Sequence, residues 1–151
     1  MKITDAPKGC TNLKLRQLDR MVSRHYDHFL ARVGLKNMQY SLLSYVVNLG
    51  PLRPGDLARH LRMDASTLSR NLQPMVTQGW LTIGAGPDAR SRLVAATAQG
   101  HIKREEACRA WRQAQLTLNK RLGDTCVTAL HNLLDSCIQA LDNQADDTPQ
   151  D

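Results

Sequence analysis

Three features of this 151-residue sequence predict a mainly α-helical fold carrying one small β-hairpin. Long stretches near both ends repeat apolar residues at three- and four-residue intervals, which is the helical period. The middle is cut by Pro and Gly into short helical segments. A single pair of strand-like runs, around Trp80 and Leu93, brackets the turn-rich Gly84-Ala85-Gly86-Pro87-Asp88. The length suits one ordinary domain, and 42% hydrophobic against 23% charged residues describes a globular chain rather than a disordered one.

From Thr11, the residues Leu15, Leu18, Met21, Val22, Phe29 and Leu30 recur at helical spacing with Lys14, Arg16, Arg20 and Arg24 between them, so a long amphipathic helix is expected to end near Gly34. Met38, Leu42, Leu43, Val46 and Val47 mark a second helix, stopped by the breaker cluster Asn48-Leu49-Gly50-Pro51. Pro54 stands where a first helical turn tolerates it, and Leu57 and Leu61 lie one turn apart, which predicts a short third helix. Asp64 is the expected N-cap of a fourth. Its Leu68, Leu72, Met75 and Val76 form the buried stripe and leave Ser66, Thr67, Ser69, Arg70, Asn71 and Gln73 exposed. Pro74, inside that helix, removes an amide donor and crowds the carbonyl of Arg70, so a kink is expected there.

Trp80-Leu81-Thr82-Ile83 and Leu93-Val94 are the expected strands, joined by a tip bearing Arg90-Ser91-Arg92. Thr97 then caps a helix running to about Leu122. Another helix follows from Asp124 to Leu141, with Val127, Leu130, Leu134, Ile138 and Leu141 at coiled-coil-like spacing. Residues 143–151 read as an acidic, disordered tail.

Several functional classes drop out at this level. The longest apolar runs, such as Tyr45 to Val47, are far too short to span a bilayer. Met1 to Thr11 carries Lys2 and Lys8 but no apolar stretch of signal-peptide length, so a cytoplasmic protein without membrane contact is expected. Cys10, Cys108, Cys126 and Cys137 form no Cys-x-x-Cys pattern, which favours free thiols over disulfides and excludes a zinc ribbon. His25 and His28, one turn apart, are at most half of a metal site, so neither metal nor cofactor is expected. There is no Gly-x-Ser-x-Gly elbow and no phosphate-cradling glycine loop. No catalytic residue is therefore assigned, and a thiol peroxidase built on Cys10 is the one enzymatic alternative.

The formal net charge is +6, and its distribution says more than its total: residues 1–35 and 36–100 each carry +4, while residues 101–151 carry −2. A sequence pI near 9.5 with that segregation points to a polyanion partner. Two short helices joined by a tight turn, followed by a hairpin with arginines at its tip, is the order of elements in a winged helix-turn-helix. A helix fits the major groove of double-stranded DNA, and short hydroxyl, amide and guanidinium side chains near its start reach base edges and phosphates. Ser66, Thr67, Ser69, Arg70 and Asn71 are such a set, and an arginine on a hairpin can enter the minor groove. An architectural DNA-binding protein with little sequence preference is the competing reading.

Leu57-Ala58, Ser66-Thr67-Leu68-Ser69-Arg70, the wing Asp88-Ala89-Arg90-Ser91 and the helix start Thr97-Ala98-Gln99-Gly100 together make the chain resemble the MarR family of transcriptional regulators, from about Leu13 to Leu141. The wing motif is the specific part of the match. The resemblance implies a homodimer whose first and last helices interlace, binding a pseudo-palindromic operator as a repressor or occasionally an activator. On that pattern residues 1–35 form an N-terminal arm and dimerisation helix, 36–100 the DNA-binding lobe, and 101–142 the C-terminal dimerisation helices. By position, Arg90 becomes the minor-groove arginine, Asp88 its orienting partner, Ser91 and Arg92 its neighbours on the wing, and the Ser66 to Asn71 face the major-groove reader. The chain departs from the pattern at Arg53-Pro54, where a hydroxyl cap is common, at Ala96, where leucine is usual, and at Pro74.

The same resemblance implies an effector. Family members respond to aromatic anions, to oxidants through cysteine, or to metal ions. Cys10, with Lys8 beside it, and Cys108, Cys126 and Cys137 in the C-terminal helices are the candidates for sensing an oxidant or thiophilic metalloid. Cys126 and Cys137 also lie beside the stripe of Leu130, Leu133 and Leu134, where a cysteine is simply a small core residue. Tyr26, Tyr40, Tyr45, Arg24 and Trp111 offer aromatic and cationic lining for a small-molecule pocket between dimer base and DNA-binding lobe.

Overall fold

The structure, a computed structural model, describes residues 8–88 and 91–145, with side chains to Asp142. It divides into two compact units, Met1–Ala114 and Gln115–Asp151.

The first unit opens with α1, Thr11–Leu30, which continues as a 3₁₀ turn, Ala31–Val33, and stops at Gly34 in the left-handed region (φ 75°). The expected end near Gly34 is thus correct, with the last turn tightened. Helix α2 spans Asn37–Leu49 and α3 spans Pro54–Leu61, with Pro54 in the first turn. Helix α4 spans Ala65–Thr77 with Asp64 as its N-cap. It runs through Pro74 to Thr77, and Gln78 N donates to Pro74 O (3.0 Å) to close the final turn.

Two antiparallel strands follow, β1 at Leu81–Ala85 and β2 at Arg92–Ala96, paired with Ile83 opposite Val94 and Ala85 opposite Arg92. Both strands are longer than the sequence predicts, because the ladder carries Gly84 and Ala85 despite their poor strand propensity. Arg92 therefore opens β2 instead of sitting on the hairpin tip. A third piece of backbone joins the sheet: Leu52 N donates to Val94 O (3.1 Å) and Val94 N donates to Leu52 O (2.8 Å).

An apolar cluster packs the helices of this unit against its strands. Leu42, Leu43 and Val46 of α2 meet Leu57 of α3, Leu68, Leu72 and Met75 of α4, Leu81 and Val94 of the strands, and Leu52 of the bridge. Burial of such side chains supplies the main drive for folding, roughly 1.5–3 kcal/mol each before entropy is counted. The stripe that α4 contributes is the one expected, apart from Val76, which is only partly buried.

Helix α5, Ala98–Leu122, starts in the first unit. Thr97 is its cap: Gly100 N donates to Thr97 Oγ1 (3.0 Å), while that hydroxyl donates to Gly79 O and Thr97 N donates to Trp80 O (3.0 Å). The start of α5 is thereby bolted to the chain entering β1. Helix α1 is tied to the same helix by a 2.8 Å hydrogen bond between His25 Nε2 and Ala114 O, which places the ring proton on Nε2.

The second unit holds the end of α5 and α6, Asp124–Ala145. Helix α6 runs three residues into the segment expected to be a disordered tail, since Asn143-Gln144-Ala145 continue the helix; residues 146–151 of that segment lie outside the described residues. No described residue of α6 is buried within the chain, and Leu133 (66% exposed) and Leu141 (68%) stand open. Cys126 and Cys137 are exposed as well, so neither is buried within the single chain. Among the described residues no helix is long and apolar enough to cross a membrane.

Candidate nucleic-acid interface

The start of α4 is an ordered polar surface. Asp64 Oδ1 accepts from Thr67 N (2.7 Å) and from Ser66 Oγ (2.8 Å), satisfying an otherwise orphan helix amide. The bond from the Thr67 amide, reinforced by the Ser66 hydroxyl, holds the Asp64 carboxyl below its ordinary value, with Arg70 adding to the effect. Arg70 leans back on the Thr67 hydroxyl (3.4 Å), and Ser66, Ser69 and Arg70 are exposed. Asn71 differs from the expectation of an exposed reader: it is half-buried, and its Nδ2 donates to Thr67 O (2.8 Å) in its own helix.

A carboxyl whose folded pKa is depressed adds stability that is present above its unfolded value and lost as pH falls through the folded one. Urea midpoints of wild type and Asp64→Ala are therefore expected to differ by a constant amount between about pH 5 and pH 8 and to converge in acid, below the ordinary value of 3.8. A gap that closes near neutrality rejects this account of the cap.

The tight turn before α4 is made by Arg62, the C-cap of α3, in the left-handed region at φ 50°, with its N–H donating to Arg59 O (3.2 Å). Glycine adopts that conformation without strain, whereas a residue with a Cβ does not. Arg62, Arg59 and His60 rim an open groove of about 710 Å³ floored by Tyr45, Leu49 and Leu52, and Arg59 pairs with Asp56.

On the wing, Asp88 closes a turn around Ser91. Its Oδ1 accepts from Ser91 N (2.8 Å), and Gly86 N donates to Ser91 O (2.8 Å) across the base. Gly86 is required there, because a Cβ would run into the Ser91 side chain. Ala89 and Arg90, including the expected minor-groove arginine, lie outside the described residues. Asp88 is thus placed by its turn with Ser91, and the pairing expected between Asp88 and Arg90 falls outside the described structure.

Arg92, exposed at the start of β2, lines two concavities. One, of about 470 Å³, lies between the wing and the first turn of α3 and is lined by Arg53, Pro54, Asp88, Ser91 and Arg92. The other, of about 190 Å³, is closed by Gly55, Leu68, Ser69, Leu72 and Ile83 and links Arg92 to the face of α4. Two guanidiniums flanking a helix start form a surface suited to phosphate. Arg53, which lines the first of these concavities, and Arg62, which rims the groove beside α3, were not among the residues expected at the interface. Their signal was a basic residue at each end of an eight-residue helix.

The proposed aromatic lining is dispersed. Tyr40 is buried and stacked on Trp111 (centroids 5.9 Å apart, 23° between planes), Tyr45 packs against His60 (5.8 Å), Tyr26 is buried in α1, and Arg24 is exposed. Burial holds the Tyr40 phenol above its ordinary range. The Ser44 hydroxyl beside it works against that rise, the Cys108 thiol adds to it, and the Arg104 guanidinium opposes it. All four cysteines are free thiols, with Cys10 exposed as the N-cap of α1, accepting from Leu13 N (3.4 Å), and Cys108 half-buried. Among the described residues no three His, Cys, Asp or Glu side chains gather as metal ligands, so His25 and His28 gain no third partner.

Helix α3, the Arg62 turn, helix α4 and the β1–β2 wing define a winged helix-turn-helix DNA-binding protein. Residues 33–91 match the MarR family, and the transcriptional regulator MosR of M. tuberculosis superposes with a TM-score of 0.78 at 26% identity, over 91% of this chain and 99% of that one. MosR in complex with DNA matches with a TM-score of 0.71 at 27% identity, over 85% and 98% of the two chains. An uncharacterised HTH-type transcriptional regulator of Bacillus subtilis, YwoH, is 27% identical over 93 residues, 62% of this chain and 68% of its own length. Over these stretches the chain is similar to the MarR family of DNA-binding transcriptional regulators.

Proposed function

We propose that this protein is a homodimeric, cytoplasmic repressor that binds a pseudo-palindromic operator and is released from it when an effector reaches its thiols. The observation that carries the reading is the joined surface of α4 and the wing, where the exposed Ser66, Ser69 and Arg70 continue through the smaller cavity to Arg92 and Arg53. Ser66, Thr67, Ser69 and Arg70 read the major groove, with Asn71 steadying the helix behind them. Arg90 enters the minor groove, and Arg92, Arg53 and the Asp88-Ser91 turn hold the adjoining backbone. The relative MosR has been crystallised with DNA, which supports this mode of engagement.

Dimerisation is supported by apolar surface that a lone chain leaves wet: Leu13, Leu15 and Met21 on α1, and Leu133, Ile138 and Leu141 on α6. A thiol-directed effector is favoured over an aromatic anion because Tyr40, Tyr45 and Tyr26 occupy separate surroundings, whereas all four cysteines are free.

The test is a fluorescence-anisotropy titration against the upstream DNA of the protein's own gene and a scrambled duplex, in reducing buffer and after oxidant. Selective binding lost on oxidation is the expected result. Equal affinity for both duplexes, with a steep salt dependence, makes the protein architectural instead. Selective binding indifferent to oxidant removes the thiols from the mechanism.

A further inference from the structure

The hydrogen bonds within α4 leave its polar side chains with unequal capacity for DNA. Ser66 gives its one hydroxyl proton to Asp64 Oδ1 (2.8 Å), the half-buried Thr67 receives the Arg70 guanidinium on its hydroxyl (3.4 Å), and Thr77 gives its proton to Gln73 O (3.1 Å). Asn71 is turned back into the helix, with Nδ2 on Thr67 O (2.8 Å). Gln73 is different: it is exposed, and among the described residues nothing bonds its side-chain amide. It stands one turn beyond Ser69 and Arg70 and two beyond Ser66, on the same open face. Leu72 and Met75, buried on either side of it in sequence, fix that orientation.

In the major groove adenine presents the N7 acceptor beside the N6 donor, and a side chain with a donor and an acceptor side by side matches both at once. A hydroxyl has one proton on a freely turning bond and discriminates poorly, while a guanidinium has donors only and suits guanine or phosphate. Within α4 only Asn71 and Gln73 carry the required pair, and Gln73 has both ends free. Pro74 prepares it further. A proline ring crowds the Cβ of the preceding residue, which trims the conformations that Gln73 gives up on binding.

We propose that Gln73 is the adenine reader of this protein, a specificity-determining residue whose Oε1 accepts from adenine N6 and whose Nε2 donates to adenine N7. The assignment rests on the DNA-binding reading, since it needs α4 in the major groove. Ser69 and Arg70, a turn earlier on the same face, then meet the neighbouring base pairs and backbone, and each half-site of the operator holds one adenine that Gln73 alone distinguishes from the other bases.

The experiment selects binding sites from a randomised duplex library with the full-length wild type, Gln73→Ala and Asn71→Ala, then titrates the enriched duplexes by fluorescence anisotropy. Wild type and Asn71→Ala are expected to enrich the same adenine in each half-site. Gln73→Ala is expected to enrich the rest of the motif and to lose at least about tenfold in discrimination at that one position. Replacing the adenine by 7-deazaadenine, which lacks the N7 acceptor, is expected to weaken wild type at least about fivefold and to leave Gln73→Ala unchanged, a difference that a merely structural role for Gln73 would not produce. Because Gln73 is exposed, its alanine variant keeps the urea midpoint of wild type. An identical motif from wild type and Gln73→Ala overturns the assignment while the DNA-binding reading stands, as does an adenine preference lost with Asn71→Ala instead. A wild type that enriches no motif overturns the sequence-specific reading and the adenine reader with it.

Discussion

Gly100→Ala is expected to destabilise this protein by roughly 3 kcal/mol, a large share of the about 5–15 kcal/mol that keeps a typical domain folded. In most helices the same change stabilises, because alanine restricts the unfolded chain and has the higher helix propensity. Here the sign reverses. Gly100 is buried in the first turn of α5, and a Cβ at that position would be driven into the carbonyl oxygen of Trp80. The obstacle is backbone, held by Thr97 N, so it cannot rotate aside like a side chain. Relief requires prising the start of α5 from the entry to β1, which breaks the cap that Thr97 gives to Gly100 N. Urea denaturation followed by circular dichroism checks this, and a midpoint equal to or above that of wild type rejects the steric argument.

Arg92→Glu is expected to lower operator affinity about a hundredfold without loss of fold, because in the proposed dimer each subunit exchanges an attractive charge for a repulsive one beside phosphate. Arg92 is exposed, and its backbone stays paired opposite Ala85, so little core is at stake. The slope of log affinity against log salt is expected to become shallower, since fewer counterions are released on binding. Arg53→Ala, which removes the other guanidinium of the same groove without reversing charge, is expected to cost about tenfold. Anisotropy titrations at several salt concentrations decide the matter. An affinity for Arg92→Glu within twofold of wild type removes this groove from the interface.

Local chemistry made much of the lobe legible before any fold was known. Pro54, Asp64 and Thr97 announce helix starts because each satisfies a requirement of a first turn within a few residues of itself. The Ser66-to-Arg70 face was legible because the apolar stripe of α4 fixes which side is left for solvent. What escaped notice depends on partners distant in sequence. Gly84 and Ala85 become strand only because β2 lies opposite, which also carries Arg92 off the tip and into the ladder. Asn71 was read as a donor to DNA, and its bond to Thr67 O competes for the same amide. Arg62 conceals a left-handed turn because its side chain gives no sign of the φ that its neighbours impose. The stacking of Tyr40 on Trp111 is invisible to any periodicity, since it requires α2 and α5 side by side.

The backbone bridge between Leu52 and Val94 makes a stiff caliper of the lobe. One jaw is the wing and the other is α4, and the hinge is riveted by two hydrogen bonds to the segment that launches α3. If the two jaws contact the grooves as proposed, the distance between those contacts is set by the fold, and operators are expected to be sorted by how well their groove spacing matches it.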